Sequence, residues 1–198
     1  MSGTIRTIKE PTESIVRDRG SKFIAYCHPV KTEDDVKLIV KGIWDKHPGI
    51  CHVCYAYRIG KGGERFRAND DGEPTGSAGL PILNQIKSKG LTDTLVAVAR
   101  YFGGTKLGVT GLIKAYKLAA KQSIEKATIL EKVPTQNLVL RFPHSRIGDV
   151  ERIIGQNDLK VVSKLFDLDC NWTIEVTEKH FDDIKQMMGT LKNVEIDT

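Results

Sequence analysis

Residues 70–116 constrain this chain more than any other stretch. They run from Asp70-Asp71-Gly72-Glu73-Pro74-Thr75-Gly76-Ser77-Ala78-Gly79 into a periodic segment ending near Ser88. After a short gap, Leu95–Tyr101 leads into Phe102-Gly103-Gly104-Thr105-Lys106-Leu107-Gly108 and a second, longer periodic segment. Eight of the eighteen glycines lie here: Gly72, Gly76, Gly79, Gly90, Gly103, Gly104, Gly108 and Gly111. Glycine is placed where backbone must turn through positive φ or approach another group closely. Two glycine-rich turns, each feeding a helix, point to an α/β layer with two loops built to meet a ligand. Acids gather in the first loop and bases in the second.

In the second loop, Arg100-Tyr101-Phe102-Gly103-Gly104-Thr105-Lys106-Leu107-Gly108 reads as strand, turn and helix start. Free N–H groups at such a start favour anions, and Arg100 and Lys106 add charge. A tight connection whose glycines only satisfy geometry explains the same residues equally well. The stretch is neither a P-loop nor a dinucleotide fingerprint, lacking Gly-Lys-Ser/Thr and Gly-x-Gly-x-x-Gly. Lys114, Lys117 and Lys121 continue the basic row along the next helix, where they either track phosphates or form a solvated face. Tyr55, Tyr57, Tyr101 and Phe102 are available for stacking on bases, although strand aromatics usually serve the core.

In the first loop, Asp71 and Glu73 are the candidates for acid–base work or for holding a cation. Thr75 and Ser77 are nucleophiles only beside a base, and a helix cap suits them better. A third use of the acids is an internal ion pair with Arg100 or Lys106. Cys51-His52-Val53-Cys54 offers at most three zinc ligands, and on a strand the two cysteines face opposite sides. Core packing is therefore expected for the cysteines, with His52 turned toward the glycine loops. Neither a metal nor a cofactor is expected.

The periodicities around this segment predict two domains, over residues 1–133 and 137–198, divided near Val133-Pro134-Thr135. The first holds strands near Thr4–Lys9, Ser14–Val16, Phe23–Pro29, Cys51–Ile59 and Leu95–Tyr101. Its helices follow Thr32, with a capping box at Thr32-Glu33-Asp34-Asp35, then run from about Leu80 to Ser88 and from Gly108 to Lys126. The second reads β-α-β-β-α-β, a ferredoxin-like order, with Ser145 and Thr177 as candidate caps. The fold class is α+β.

The 198 residues, 40% hydrophobic and 28% charged, suit a soluble protein. No apolar run approaches the ~20 residues of a membrane span, and the opening residues lack a signal-peptide core. Four cysteines without a secretory signal are expected as thiols, so a cytoplasmic location is anticipated. The net charge of +5 is divided unevenly, with 22 basic and 14 acidic residues up to residue 136 and 8 and 11 after it. Only the first part attracts phosphates by net charge, and modestly.

The segments Asp-Asp-Gly-Glu-Pro-Thr-Gly-Ser-Ala-Gly, Val-Ala-Arg-Tyr-Phe-Gly-Gly-Thr-Lys-Leu-Gly and Gly-Leu-Ile-Lys-Ala-Tyr resemble the YigZ/IMPACT family over roughly residues 15–127. The resemblance implies a first domain like the second domain of a small-subunit ribosomal protein, with a left-handed βαβ crossover. It also implies a C-terminal domain similar to elongation factor G modules. Eukaryotic members of that family regulate translation by competing for an activator of a kinase. The implied partners are thus RNA, the ribosome or a translation-regulatory protein. The corresponding binding residues are Gly72, Gly76, Gly79, Arg100, Tyr101, Phe102, Gly103, Gly104, Lys106, Gly108, Gly111 and Lys114. The chain departs from the family pattern at Thr110, where glycine is common, and at Pro81 and Lys114, where arginine is frequent. The other reading is an enzyme acting on a phosphate or acyl substrate through Asp71 and Glu73.

Overall fold

A computed structural model describes residues 4–197. The chain divides into two compact units, Ile5–Lys132 and the residues from Val133 onward.

The first unit contains β1 (Ile5–Ile8), β2 (Thr12–Asp18), β3 (Ser21–Pro29), α1 (Glu33–Lys46), β4 (His52–Ile59), β5 (Arg65–Asn69), α2 (Gly79–Ser88), β6 (Thr94–Tyr101), α3 (Gly108–Glu125) and β7 (Ile129–Lys132). Five strands form one sheet in the order β2-β3-β6-β4-β5, with every neighbouring pair antiparallel. β6 lies at the centre, and its residues from Thr94 to Arg100 are all buried. This is the signature of a strand covered on both faces. Strand alternation divides the core accordingly. Phe23, Ala25, Cys54, Ala56, Val96 and Val98 meet α2 and α3 on one face. Ile24, Tyr26, Val53, Tyr57, Leu95 and Ala97 meet α1 on the other. β1 and β7 pair separately as a two-stranded ribbon.

The capping box forms as its spacing requires. The Thr32 side chain accepts from Asp35 N–H, and the Asp35 carboxylate accepts from Thr32 N–H. β5 and β7 carry no strand pattern in sequence. β5 is an edge strand whose residues Arg65–Ala68 are all exposed, so no buried side chains alternate along it.

The second unit contains β8 (Thr135–Phe142), α4 (Ile147–Gln156), β9 (Lys160–Phe166), β10 (Cys170–Thr177), α5 (Phe181–Gly189) and β11 (Glu195–Asp197). The antiparallel order β11-β8-β10-β9 makes β8 parallel to β9 and β10 parallel to β11, as two split β-α-β units demand. Trp172, Leu140 and Phe142 pack against Val150, Ile154, Ile184 and Met188. Ser145 and Thr177 do not cap the helices as expected. Short 3₁₀ turns, His144–Arg146 and Glu178–His180, precede α4 and α5, and no side chain caps either entry. No helix among the described residues is long and apolar enough to cross a membrane.

Candidate functional site

The acidic loop between β5 and α2 is organised by Asp70. One carboxylate oxygen accepts from Ala78 N–H (3.0 Å) and Gly79 N–H (2.8 Å), and the other accepts from Gly76 N–H (2.9 Å). Asp70 therefore does the capping expected of Thr75 or Ser77. Ser77 is buried with no hydrogen-bond partner for its hydroxyl among the described residues, and Thr75 is exposed. Asp71 carries a positive φ of 45°, as do Gly72 (87°) and Gly76 (75°). Its carboxylate accepts from Val53 N–H (2.6 Å), and its carbonyl meets His52 Nδ1 at 2.6 Å. His52 thus faces this loop, and Asp71 fastens the loop to β4.

Glu73 is 8% exposed. Its Oε1 accepts from Arg100 Nη1 (2.5 Å) at the end of β6 and from the Tyr116 hydroxyl (2.7 Å) on α3. Cys54 Sγ lies 3.3 Å from the same hydroxyl and donates to Asp70 O at 3.0 Å. Burial, then the neighbouring Cys54 and Glu73, push the Tyr116 phenol far above its ordinary range, so it stays protonated and donates. Burial likewise raises the Cys54 thiol, which keeps it from acting as a nucleophile. Tyr116 was detectable as a lone phenol on an otherwise aliphatic and small helix face, since a buried hydroxyl needs a partner. The Arg100 guanidinium lies between the Phe23 ring (5.5 Å) and the Phe102 ring (5.6 Å).

The two glycine loops face one another. Glu73 and Pro74 from the first, and Phe102, Lys106, Leu107, Gly108 and Val109 from the second, line a groove of about 410 Å³ with Arg100 and Leu112. Lys106 makes no ion pair among the described residues, and α3 begins with neither a side-chain cap nor an acid in its first turn. The wall is mostly apolar. The groove offers one unpaired cation and a set of free N–H groups beside an exposed Phe102.

Several expected residues lie elsewhere. The Tyr101 hydroxyl meets His47 Nδ1 at 3.0 Å at the C-terminal end of α1, on the opposite face of the sheet. Lys114 is exposed on α3 and does not line the groove, and Lys117 and Lys121 share its solvated face. Gly79 and Gly103 serve close approach within the protein: a Cβ on Gly79 would meet Asn69 N at 2.5 Å, and one on Gly103 would strike the Gly20 and Ser21 backbone. A Cβ on Gly111 would lie 2.8 Å from Arg19 Nη2, which donates to Leu107 O at 3.2 Å and holds the second loop. Gly104 and Gly108 have positive φ and open space around them. Cys51 is exposed while Cys54 is buried, and no three His, Cys, Asp or Glu side chains among the described residues are placed to hold a metal.

Residues 19–124 match the family model described as the Impact N-terminal domain. The chain belongs to the IMPACT family. The IMPACT family member YvyE of Bacillus subtilis (strain 168) is 30% identical over 187 residues, covering 94% of this chain and 86% of that protein. The IMPACT family member YigZ of Escherichia coli (strain K12) is 30% identical over 155 residues, covering 77% and 76% of the two chains. A solved structure, described as that of an hypothetical protein, aligns over 98% of this chain and 96% of its own with a TM-score of 0.69 at 22% identity. That likeness shows the fold alone, including the βαββαβ unit. Every groove residue falls inside the segment that matches the IMPACT model.

Proposed function

We propose that this IMPACT family chain is a translation-linked binding protein that uses the groove between its glycine loops to hold an acidic or phosphate-bearing partner. RNA, the ribosome and a translation-regulatory protein are the partners of that chemistry which the family resemblance implies. One observation carries the reading. Across the groove the acids are consumed by internal bonds, whereas Lys106 and the start of α3 remain open. Arg100 shapes the groove and does not contribute free charge, because Glu73 neutralises it. Glu73, locked between Arg100 and Tyr116, is a structural acid, and Asp71 is bonded to backbone. These bonds favour recognition over acid–base catalysis.

The test is ribosome pelleting and RNA binding at rising salt, comparing wild type with Lys106→Ala and Val109→Glu. An acid in the first turn of α3 supports the helix by about 0.3–1 kcal/mol while repelling an anionic partner. Both variants are expected to stay folded and to lose binding, with the wild-type affinity falling as salt rises. Binding that ignores salt and both substitutions overturns the reading.

A further inference from the structure

A second surface, which shares no residue with the groove, lies along β5. This edge strand has the sequence Arg65-Phe66-Arg67-Ala68-Asn69, and α2 packs beside it. The two elements hold Arg65, Arg67 and Lys87, and neither contains an Asp or Glu. Lys89 follows α2 directly. None of the four cations makes an ion pair among the described residues. The nearest acid along the chain, Glu64, turns back to accept from Gly62 N–H at 3.0 Å, and the Arg65 charge reaches it only as a minor influence beside that bond. Between the cations stands Phe66, the strand's one aromatic residue and 54% exposed, with Lys87 Nζ 4.6 Å from its ring centre.

Pairing sets the faces. Ala68 lies opposite Ala56 and Arg67 opposite Tyr57, so Phe66 and Ala68 face α2 while Arg65 and Arg67 face the other way. A sheet edge shows both faces at once to a chain laid along it. The aromatic is then reachable from one side of that chain and the arginines from the other.

We propose that the β5 edge with the end of α2 binds single-stranded nucleic acid, with a base stacked on Phe66 and phosphates at Arg65 and Lys87. An exposed ring flanked by unpaired cations meets the two needs of a single strand, a platform for the base and a counter-charge for the backbone. A protein partner of matching charge would have to be acidic and would be held by the strand's main chain, so it would tolerate Phe66→Leu, which a stacked base would not. Arg67 contributes less, because the Glu33 carboxylate also approaches Tyr57, the cross-strand neighbour of Arg67.

The experiment titrates the full chain against a fluorescein-labelled 12-nucleotide unstructured RNA, and against the DNA of the same sequence, at several salt concentrations. Wild type is expected to bind with affinity that falls as salt rises. Phe66→Ala is expected to weaken binding by about five-fold to a hundred-fold, the range of one lost base stack. Phe66→Leu, which keeps an apolar side chain but removes the ring face, should do the same. Arg65→Gln with Lys87→Gln should reduce the log–log salt slope by about 1.4, roughly 0.7 for each phosphate contact. All these side chains are exposed, so the urea midpoint should hold. Lys106→Ala, run in parallel, separates the two surfaces: binding lost through Lys106→Ala and kept by both Phe66 variants belongs to the groove and overturns the β5 site, whereas binding lost through the Phe66 variants is carried by β5. A preference for the RNA or the DNA strand identifies the source and supports the site. The proposal is overturned if neither strand binds at low salt, if both Phe66 variants bind like wild type, or if a blunt duplex competes as well as the single strand.

Discussion

The loop at residues 70–79 and the loop at residues 102–111 look like mirror images in sequence, one acidic and one basic, each leading into a helix. Their bonding differs completely. Every acid of the first is spent inside the protein: Asp70 on three backbone N–H groups, Asp71 on Val53 N–H, Glu73 on Arg100 and Tyr116. The second leaves Phe102, Lys106, Val109 and Thr110 exposed. Charge in a sequence is thus a poor guide to charge on offer. The acidic loop is scaffold, and the basic loop is the part that meets the outside.

The comparison breaks most visibly at Glu73. Glu73→Ala would strand the Arg100 guanidinium, whose side chain is 8% exposed, without its counter-ion. Removing one member of a buried pair costs about 3–5 kcal/mol, read as a shift in the urea midpoint. The double change Glu73→Leu with Arg100→Met should regain most of that loss, because a pair replaced by apolar groups leaves no uncompensated charge. A double variant as unstable as the single one would show that the ion pair is not what holds the loops together.

Asp70→Ala comes next, at about 2–3 kcal/mol, since a carboxylate accepting several N–H bonds is worth more than an ordinary cap. Thr75→Ala, in the position sequence reasoning favours as the cap, should change stability by less than about 0.5 kcal/mol. Thermal unfolding of the two variants side by side decides between them.

Much of the frame was legible. The capping box at Thr32, the fully buried run before Tyr101, and the βαββαβ order all follow from periodicity and capping chemistry. So did the possibility that acids of the first loop close onto Arg100. What periodicity could not supply was pairing partners. Asp70 and Asp71 are adjacent and chemically identical, and only the path of the backbone decides which one caps α2. Tyr101 and Phe102 are adjacent aromatics on opposite sides of the sheet edge, one bonded to His47 and one at the groove. β5 escaped notice because an edge strand with no buried face leaves no alternation to read.

Glycines sharpen the contrast at an intermediate scale. A Cβ at Gly103 would run into the Gly20–Ser21 backbone, which has no side chain to move aside. Gly103→Ala should therefore cost about 2–3 kcal/mol. Gly104 has a φ of 85° and nothing within 4 Å of its would-be Cβ, so Gly104→Ala should cost only the backbone penalty, about 1–2 kcal/mol. Equal losses at the two positions would mean that the second loop does not rest on the β2–β3 turn.

The smallest effect on stability is the most telling for function. Lys106 is exposed, makes no ion pair among the described residues, and stands where the groove opens to solvent. Nothing in the fold depends on its ammonium group, so Lys106→Ala should leave the unfolding midpoint within about 0.5 kcal/mol of wild type. If the second loop is a surface on offer, the same change should weaken partner binding and flatten its salt dependence by about one phosphate contact. A Lys106 variant that loses stability but keeps its partner would reverse the comparison, making the basic loop scaffold like the acidic one. Measuring stability and binding on the same preparation separates the two, because an internal role moves the first quantity and an external role only the second.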